Sequence, residues 1–139
     1  MAYLIFDLPH ENDSKGIHIP AASLKLSKLD NARKLFLCVE AGSSVIPLDV
    51  GETVRFEDLL YATMVRSGNE GANLIAETIS GDIYTFAELM NQAAAMYGCT
   101  SSNFVNPNGL HDDNHYSTVR DMAKIAQAAM QNETFRNIA

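Results

Sequence analysis

The sequence predicts an α+β domain that is mostly helical, and three observations carry that expectation. Short β-like apolar runs, Ala2 to Leu8 and Leu35 to Val39, are confined to the N-terminal third. From Phe56 onward, apolar residues recur at spacings of three and four, the period of a helix with one buried side. Between those periodic stretches stand residues that start and stop helices, among them Gly81, Gly98 and Thr118. With 139 residues, 47% hydrophobic and 19% charged, the chain suits one domain around one core.

The elements follow in order. Ala2 to Leu8 reads as a strand closed by Pro9, and the polar stretch His10 to Gly16 as a turn. Ala21 to Leu29 has helix-compatible composition, with Pro20 suited to a first helical turn. Leu35 to Val39 is a second β-like run. A helix begins at Phe56, with Phe56, Leu59, Leu60 and Met64 on one side, and Ser67-Gly68 interrupts it. The next spans Asn69 to Ile79, its apolar side being Ala72, Ile75, Ala76 and Ile79, with Gly81 just past its end. Another spans Tyr84 to Tyr97, capped by Gly98. The last clear helix begins at Thr118, whose hydroxyl is placed to cap the amide near Asp121, and turns Met122, Ile125, Ala126 and Ala129 inward. No repeat, low-complexity segment or linker marks a boundary, so residues 1–139 read as a single domain.

Several function classes are disfavoured. A formal charge of −7 with no basic run argues against nucleic acid, and against docking on anionic wall polymers or membranes. Cys38 and Cys99 allow at most one bridge and fix no compartment. Met1 to Phe6 is short and lacks a preceding cationic stretch, so it fails as a signal peptide. No run approaches the roughly 18 apolar residues of a membrane span.

Ser67-Gly68-Asn69, between two helices, is placed to aim a hydroxyl and a carboxamide into a shared cleft, with Gly68 permitting close backbone approach. The tripeptide alone proves little: a second S-x-N occurs at Ser101 to Asn103, and a capped helix junction explains either. His111 and His115, with Asp112 and Asp113 between them, carry metal-ligand chemistry. They follow the turn-forming N-P-N-G, however, where four-residue spacing aligns nothing, and a plain loop is the preferred reading. Met90, Met96, Met122 and Met130 on predicted helices are core filler. Tyr116 and Arg120 either orient that loop near a cleft or pin it to its own helix.

Context sharpens the reading. The segment G-E-T-V-R-F-E-D-L-L-Y-A-T-M-V-R-S-G-N-E, Gly51 to Glu70, and the block N-F-V-N-P-N-G-L-H-D-D-N-H-Y-S-T-V-R-D, Asn103 to Asp121, resemble the core of the serine-type D-alanyl-D-alanine carboxypeptidases. These are low-molecular-mass penicillin-binding proteins of β-lactamase-like fold that trim D-alanine from peptidoglycan stem peptides. The resemblance is strong from about Val45 to Met130. It implies that Ser67 helps pass a proton to the departing amine, that Asn69 holds a substrate amide, and that no cofactor is needed. It also implies an extracytoplasmic setting, with stem peptides or β-lactams as ligands; the missing export signal then suggests a mature form, an excised piece or a gene fragment.

The chain departs from the pattern at the nucleophile. Acyl transfer in this family uses Ser with Lys three residues later, neighbours on a helix. Here Ser14, Ser23, Ser27, Ser43 and Ser44 are followed at that spacing by Ile17, Leu26, Asp30, Ile46 and Pro47, and no later Ser does better. The segment Pro20-Ala21-Ala22-Ser23-Leu24-Lys25-Leu26 resembles P-A-S-x-x-K-[LI] without a gap, which puts Ala22 at the nucleophile position beside Lys25 and leaves a binding-competent, chemically dead site. The rival alignment makes Ser23 the nucleophile with Lys25 as base, which a helix forbids and a strand or irregular turn would permit. An ordinary helix start after Pro20 is the bland reading.

Relative to the family, residues are missing between Lys25 and the Gly42 to Leu48 stretch, and the K-T-G strand is expected past Ala139. The antiparallel sheet backing the helices is therefore expected to be incomplete, leaving apolar faces uncovered and favouring a homo-oligomer. Three functional readings stay open: a DD-carboxypeptidase-like domain with an incomplete catalytic set, a non-catalytic module binding another protein or itself, and a truncated gene product.

Overall fold

The computed structural model describes residues 42–49 and 52–139, together with the backbone of the strand at 23–25. Strand β1 (Ser23–Lys25) pairs antiparallel with β2 (Thr53–Arg55), in the register Ser23 with Arg55, Leu24 with Val54 and Lys25 with Thr53. Strand β2 runs directly into α1 (Phe56–Arg66), followed by α2 (Asn69–Ser80), α3 (Ile83–Met96), α4 (Val119–Ala129) and α5 (Glu133–Ile138). The architecture is helix-rich with a small antiparallel sheet, as the α+β expectation has it.

The helices begin and end for local reasons. Arg55, ahead of α1, grips Asp58 with two charge-assisted bonds of 2.8 and 2.7 Å, closing the strand-to-helix corner on the exposed surface. Helix α2 stops at Gly81, whose φ of 87° lets its amide return to the Glu77 carbonyl. Asp82 then caps α3, accepting bonds of 2.8 Å from the Tyr84 and Thr85 amides. Thr118 caps α4 through the Asp121 amide at 3.2 Å, the contact expected from the sequence.

One contiguous core joins these helices. It takes Leu59 and Leu60 from α1, Ile75 and Ala76 from α2, Phe86, Met90, Ala93 and Ala94 from α3, and Ile125 and Ala129 from α4. Phe86, Leu59, Ile75 and Met90 are fully buried, each contributing about 1.5–3 kcal/mol of transfer free energy. Among the described residues, no helix is long and apolar enough to cross a membrane.

Three expectations need correction and one helix is additional to them; the first correction is to the methionines read as core filler, of which Met90 is buried but Met96 and Met130 are exposed. The Ala21 to Leu29 helix is contradicted where the structure describes it, because residues 23–25 are extended and hydrogen-bonded to β2. Pairing with a neighbouring strand overrides a composition that only tolerates helix. Ala126 is exposed, since the buried stripe of α4 is turned towards Asp121, Ile125 and Ala129, away from position 126. Helix α5 escaped notice, although Asn132 caps it through the Phe135 amide at 3.0 Å and Phe135 and Ile138, three apart, are buried. The β-like runs Ala2 to Leu8 and Leu35 to Val39, the turn His10 to Gly16, and Ala22 and Cys38 lie outside the described residues.

Helices α1 and α2 approach closely because Gly71 has no side chain. A Cβ there would stand 2.2 Å from Thr63 Oγ1 and 3.3 Å from Thr63 Cβ, and that hydroxyl is already committed to the Leu59 carbonyl at 2.7 Å. Overpacking of this kind costs about 1–3 kcal/mol, against a gain of up to about 1 kcal/mol from alanine's helix propensity. Gly71→Ala is therefore expected to destabilise by about 1–2 kcal/mol in urea unfolding, and an unchanged or raised midpoint would contradict the close approach.

Candidate active site

The corner between α1 and α2 is built by Ser67, Gly68 and Asn69. Ser67 sits in the left-handed region at φ 54°, ψ 39°, the one non-glycine residue with positive φ among the described residues. Such a conformation persists only where the surroundings over-determine it. Here they do, because residues 43–46 lie across the corner. The Asn69 amide donates to the Ser44 carbonyl at 3.1 Å, and the Ile46 amide donates to Glu70 Oε2 at 3.3 Å. A Cβ on Gly68 would stand 2.9 Å from Ile46 Cγ2, so a side chain there would force Ile46 to shift. Glu70 is 1% exposed and Gly68 is buried, while the Ser67 side of the turn faces solvent. The two predicted residues Ser67 and Asn69 thus come together on a rigid corner, a hydroxyl beside a half-buried carboxamide.

Ser23 and Lys25 do not join them. Their strand partners Arg55 and Thr53 precede α1, whereas Ser67 follows its last turn. Eleven helical residues at about 1.5 Å each separate the two ends by roughly 16 Å. Ala22 lies outside the described residues, and the backbone at 23–25 is extended.

A loop from Asn103 to Tyr116 is tied to the neighbouring helices α2 and α3. Its base is a two-bond bridge between Asn103 and Tyr116, of 2.8 and 3.0 Å. Asn91 on α3 holds its first limb with both ends of its carboxamide, donating to the Phe104 carbonyl at 2.7 Å and accepting the Phe104 amide at 2.8 Å. The tip is a set of local side-chain turns: Asn106 Oδ1 accepts the Gly109 amide, Asn106 Nδ2 donates to Leu110, and Asn108 Oδ1 accepts the Leu110 amide. Asn108 Nδ2 then donates to Asn73 Oδ1 at 3.2 Å, on α2 one turn beyond Asn69.

The two histidines of the loop have separate employment. His115 packs edge-on to Phe104 at 5.6 Å, accepts the Val105 amide at Nδ1, and is pushed below its ordinary pKa by burial. His111 is exposed, 3.4 Å from the equally exposed Asp113. Among the described residues no His, Cys, Asp or Glu group is arranged to hold a metal. The Tyr116 ring and Arg120 are exposed.

Asp121 anchors the loop from below. Its buried carboxylate accepts the Ser101 amide at 2.8 Å, the Ser102 hydroxyl at 2.9 Å and Lys124 Nζ at 3.1 Å, and Lys124 also donates to the Gly98 carbonyl. These bonds, the Ser101 amide foremost, hold the carboxyl below the usual aspartate range. Cys99 is a free thiol whose pKa burial raises, which is unsuited to nucleophilic duty. Glu70, Asn73 and Asn91 were not singled out from sequence. Asn73 was accessible to that reading, since it falls in the stripe of Ala72 and Ala76 and a polar residue there demands a partner.

Comparison with known proteins gives the family. The sequence model of a family described as D-alanyl-D-alanine carboxypeptidase matches residues 24–138. The D-alanyl-D-alanine carboxypeptidase DacA of Haemophilus influenzae is 35% identical over 114 residues, covering 78% of this chain and 29% of the relative. DacF of Bacillus subtilis is 33% identical over 110 residues, covering 79% and 28%. Among solved structures, penicillin binding protein 5 from Haemophilus influenzae aligns with a TM-score of 0.69 at 32% identity, over 80% of this chain and 31% of that one. The Streptomyces K15 DD-transpeptidase aligns with a TM-score of 0.76 at 28% identity, over 99% and 50%. The chain thus spans less than a third of the length of these two curated relatives.

The Asp121 anchor has a pH signature. Because its folded pKa is depressed, its stabilisation is fully present above the unfolded aspartate value of about 3.9 and is lost as pH falls through the folded one. Asp121→Asn should lower the urea midpoint at pH 7, and its gap to the unmodified chain should narrow below about pH 4. A gap that stays constant from pH 7 to pH 3 would contradict a clamp made by the ionised carboxylate.

Proposed function

The chain belongs to the D-alanyl-D-alanine carboxypeptidase family, and from that premise we propose that it forms a wall of a cleft for peptidoglycan stem peptides ending in D-alanyl-D-alanine. The observation that carries the reading is the Ser67 corner. An exposed serine, held in a left-handed turn by a buried lock, stands two residues before a carboxamide side chain able both to donate and to accept. The relatives named above are enzymes of that name, and the solved structures are called penicillin-binding protein and DD-transpeptidase.

In the full reaction a serine oxygen attacks the penultimate D-alanine carbonyl. The C–N bond breaks, the terminal D-alanine leaves with a proton on its amine, and water frees the resulting ester. For this chain we assign Ser67 to pass the proton to the departing amine and Asn69 to hold the substrate amide. The attacking step has no assigned residue. Ala22 has no hydroxyl, Ser23 and Lys25 stand at the far end of α1, and the sequence contains neither S-x-x-K nor K-T-G. The reading is thus of a binding surface that does not acylate by itself, in an extracytoplasmic setting, with an antiparallel sheet less complete than its family's. The exposed Val65, Tyr84, Met96 and Val119 are spread over three helices, and single exposed apolar residues are ordinary on a protein surface.

The test joins intact-mass spectrometry with NMR titration. After incubation with a reporter penicillin, neither the unmodified chain nor Ala22→Ser should gain mass. An acylated D-alanyl-D-alanine dipeptide should move the amide resonances of residues 67–70. Asn69→Ala should weaken that binding by about 1 kcal/mol, roughly fivefold. A covalent adduct on the unmodified chain would overturn the non-acylating reading, and an absence of peptide-induced shifts would overturn the binding surface.

A further inference from the structure

We infer that Asn73 is a positioning residue for this corner, fixing the Asn103 to Tyr116 loop in register with Ser67 and Asn69 through its hydrogen bond from Asn108. The inference rests on reading that corner as the binding site. Asn73 touches no substrate; it acts through α2 and through the loop.

The geometry isolates this contact. Asn69 and Asn73 are four apart on α2 and therefore neighbours on one face. Asn73 is 1% exposed, and a buried carboxamide is costly to leave unpaired. Its Oδ1 receives Asn108 Nδ2 at 3.2 Å. The bonds that Asn106 makes to Gly109 and Leu110, Asn108 to Leu110 and His115 to Val105 all stay inside the loop. Asn108 to Asn73 thus joins the 105–115 stretch directly to α2. The loop tip is stiff, its base is tied by Asn91 and the Asn103 to Tyr116 bridge, and Pro107 beside Asn108 is buried. A stiff loop hinged at its base and pinned at its tip has its orientation set by the pin. Since that pin lies one turn from Asn69, movement of the loop and the helix face that presents Asn69 are coupled.

Substituting buried Asn73 risks unfolding α2, so the test uses its partner. Asn108→Asp keeps the oxygen that accepts the Leu110 amide and removes the donor to Asn73; Asn108→Ala removes both without adding charge. In NMR spectra of the isotopically labelled full chain, both variants are expected to keep the helical shifts of α2 while moving the amide resonances of Ser67, Asn69 and Asn73. Both should also weaken binding of the acylated D-alanyl-D-alanine dipeptide threefold or more. A merely local role would move resonances at 106–110 alone, with Ser67 and Asn69 unmoved, and that result in both variants overturns the inference. Should the unmodified chain fail to bind the dipeptide while the Ser67 and Asn69 resonances still move in the variants, the positioning role is supported and the substrate reading falls.

Discussion

The left-handed turn at Ser67 depends on one lock, the arm of residues 43–46 laid across the start of α2. Its elements reinforce one another. Gly68 and Gly71 clear the space into which Ile46 settles, and Ile46 in turn brings its amide to the Glu70 carboxylate and the Ser44 carbonyl to the Asn69 amide. A carboxylate 1% exposed is a poor choice for stability unless its charge is met by donors, so Glu70 commits the arm to this path. A serine with positive φ is otherwise disfavoured, and the turn is held by contacts that the next three residues, Gly68, Asn69 and Glu70, make with the arm.

The same device recurs through the site. Three buried polar side chains besides Thr63, namely Glu70, Asn73 and Asp121, each tie a loop or an extended segment to a helix. Each is worth little while paired and costs much if its partner is lost, so together they specify one arrangement of irregular backbone instead of adding bulk stability. Asn91 does likewise for Phe104, and there the amide clamp is joined by a ring that is 3% exposed. The helices supply the rigid frame and the polar pins place the loops upon it.

What could be read from the sequence followed from periodicity and from punctuation. Leu59, Leu60, Ile75, Ala76 and Ile125 were visible as core because three- and four-residue spacing leaves them no other side, and Gly81 and Thr118 announced their helix ends. Ser67 and Asn69 stood out through the motif they share with a family. The misses were of another kind. Ser23 to Lys25 became strand because Thr53 to Arg55 was there to pair with it, a tertiary fact that local composition does not contain. Ala126 was misplaced because Asp121, a charged residue, took the inward position that an apolar pattern reserves for hydrophobic ones. Asn91 and Asn108 look like any surface amides until the loop they hold is seen.

The chain belongs to the D-alanyl-D-alanine carboxypeptidase family, and the binding reading proposed for it rests on the corner at Ser67 to Asn69 being held as described. Whether the corner is held as described is most directly measured by native-state hydrogen exchange of the Ile46 and Asn69 amides. Both donate across the arm-to-helix contact, so they should exchange together and as slowly as the amides of Ile75 and Ala76 in the core of α2. If either exchanges at the rate of an exposed loop amide while α2 remains protected, the arm does not lock the corner and the left-handed serine must be held by something else.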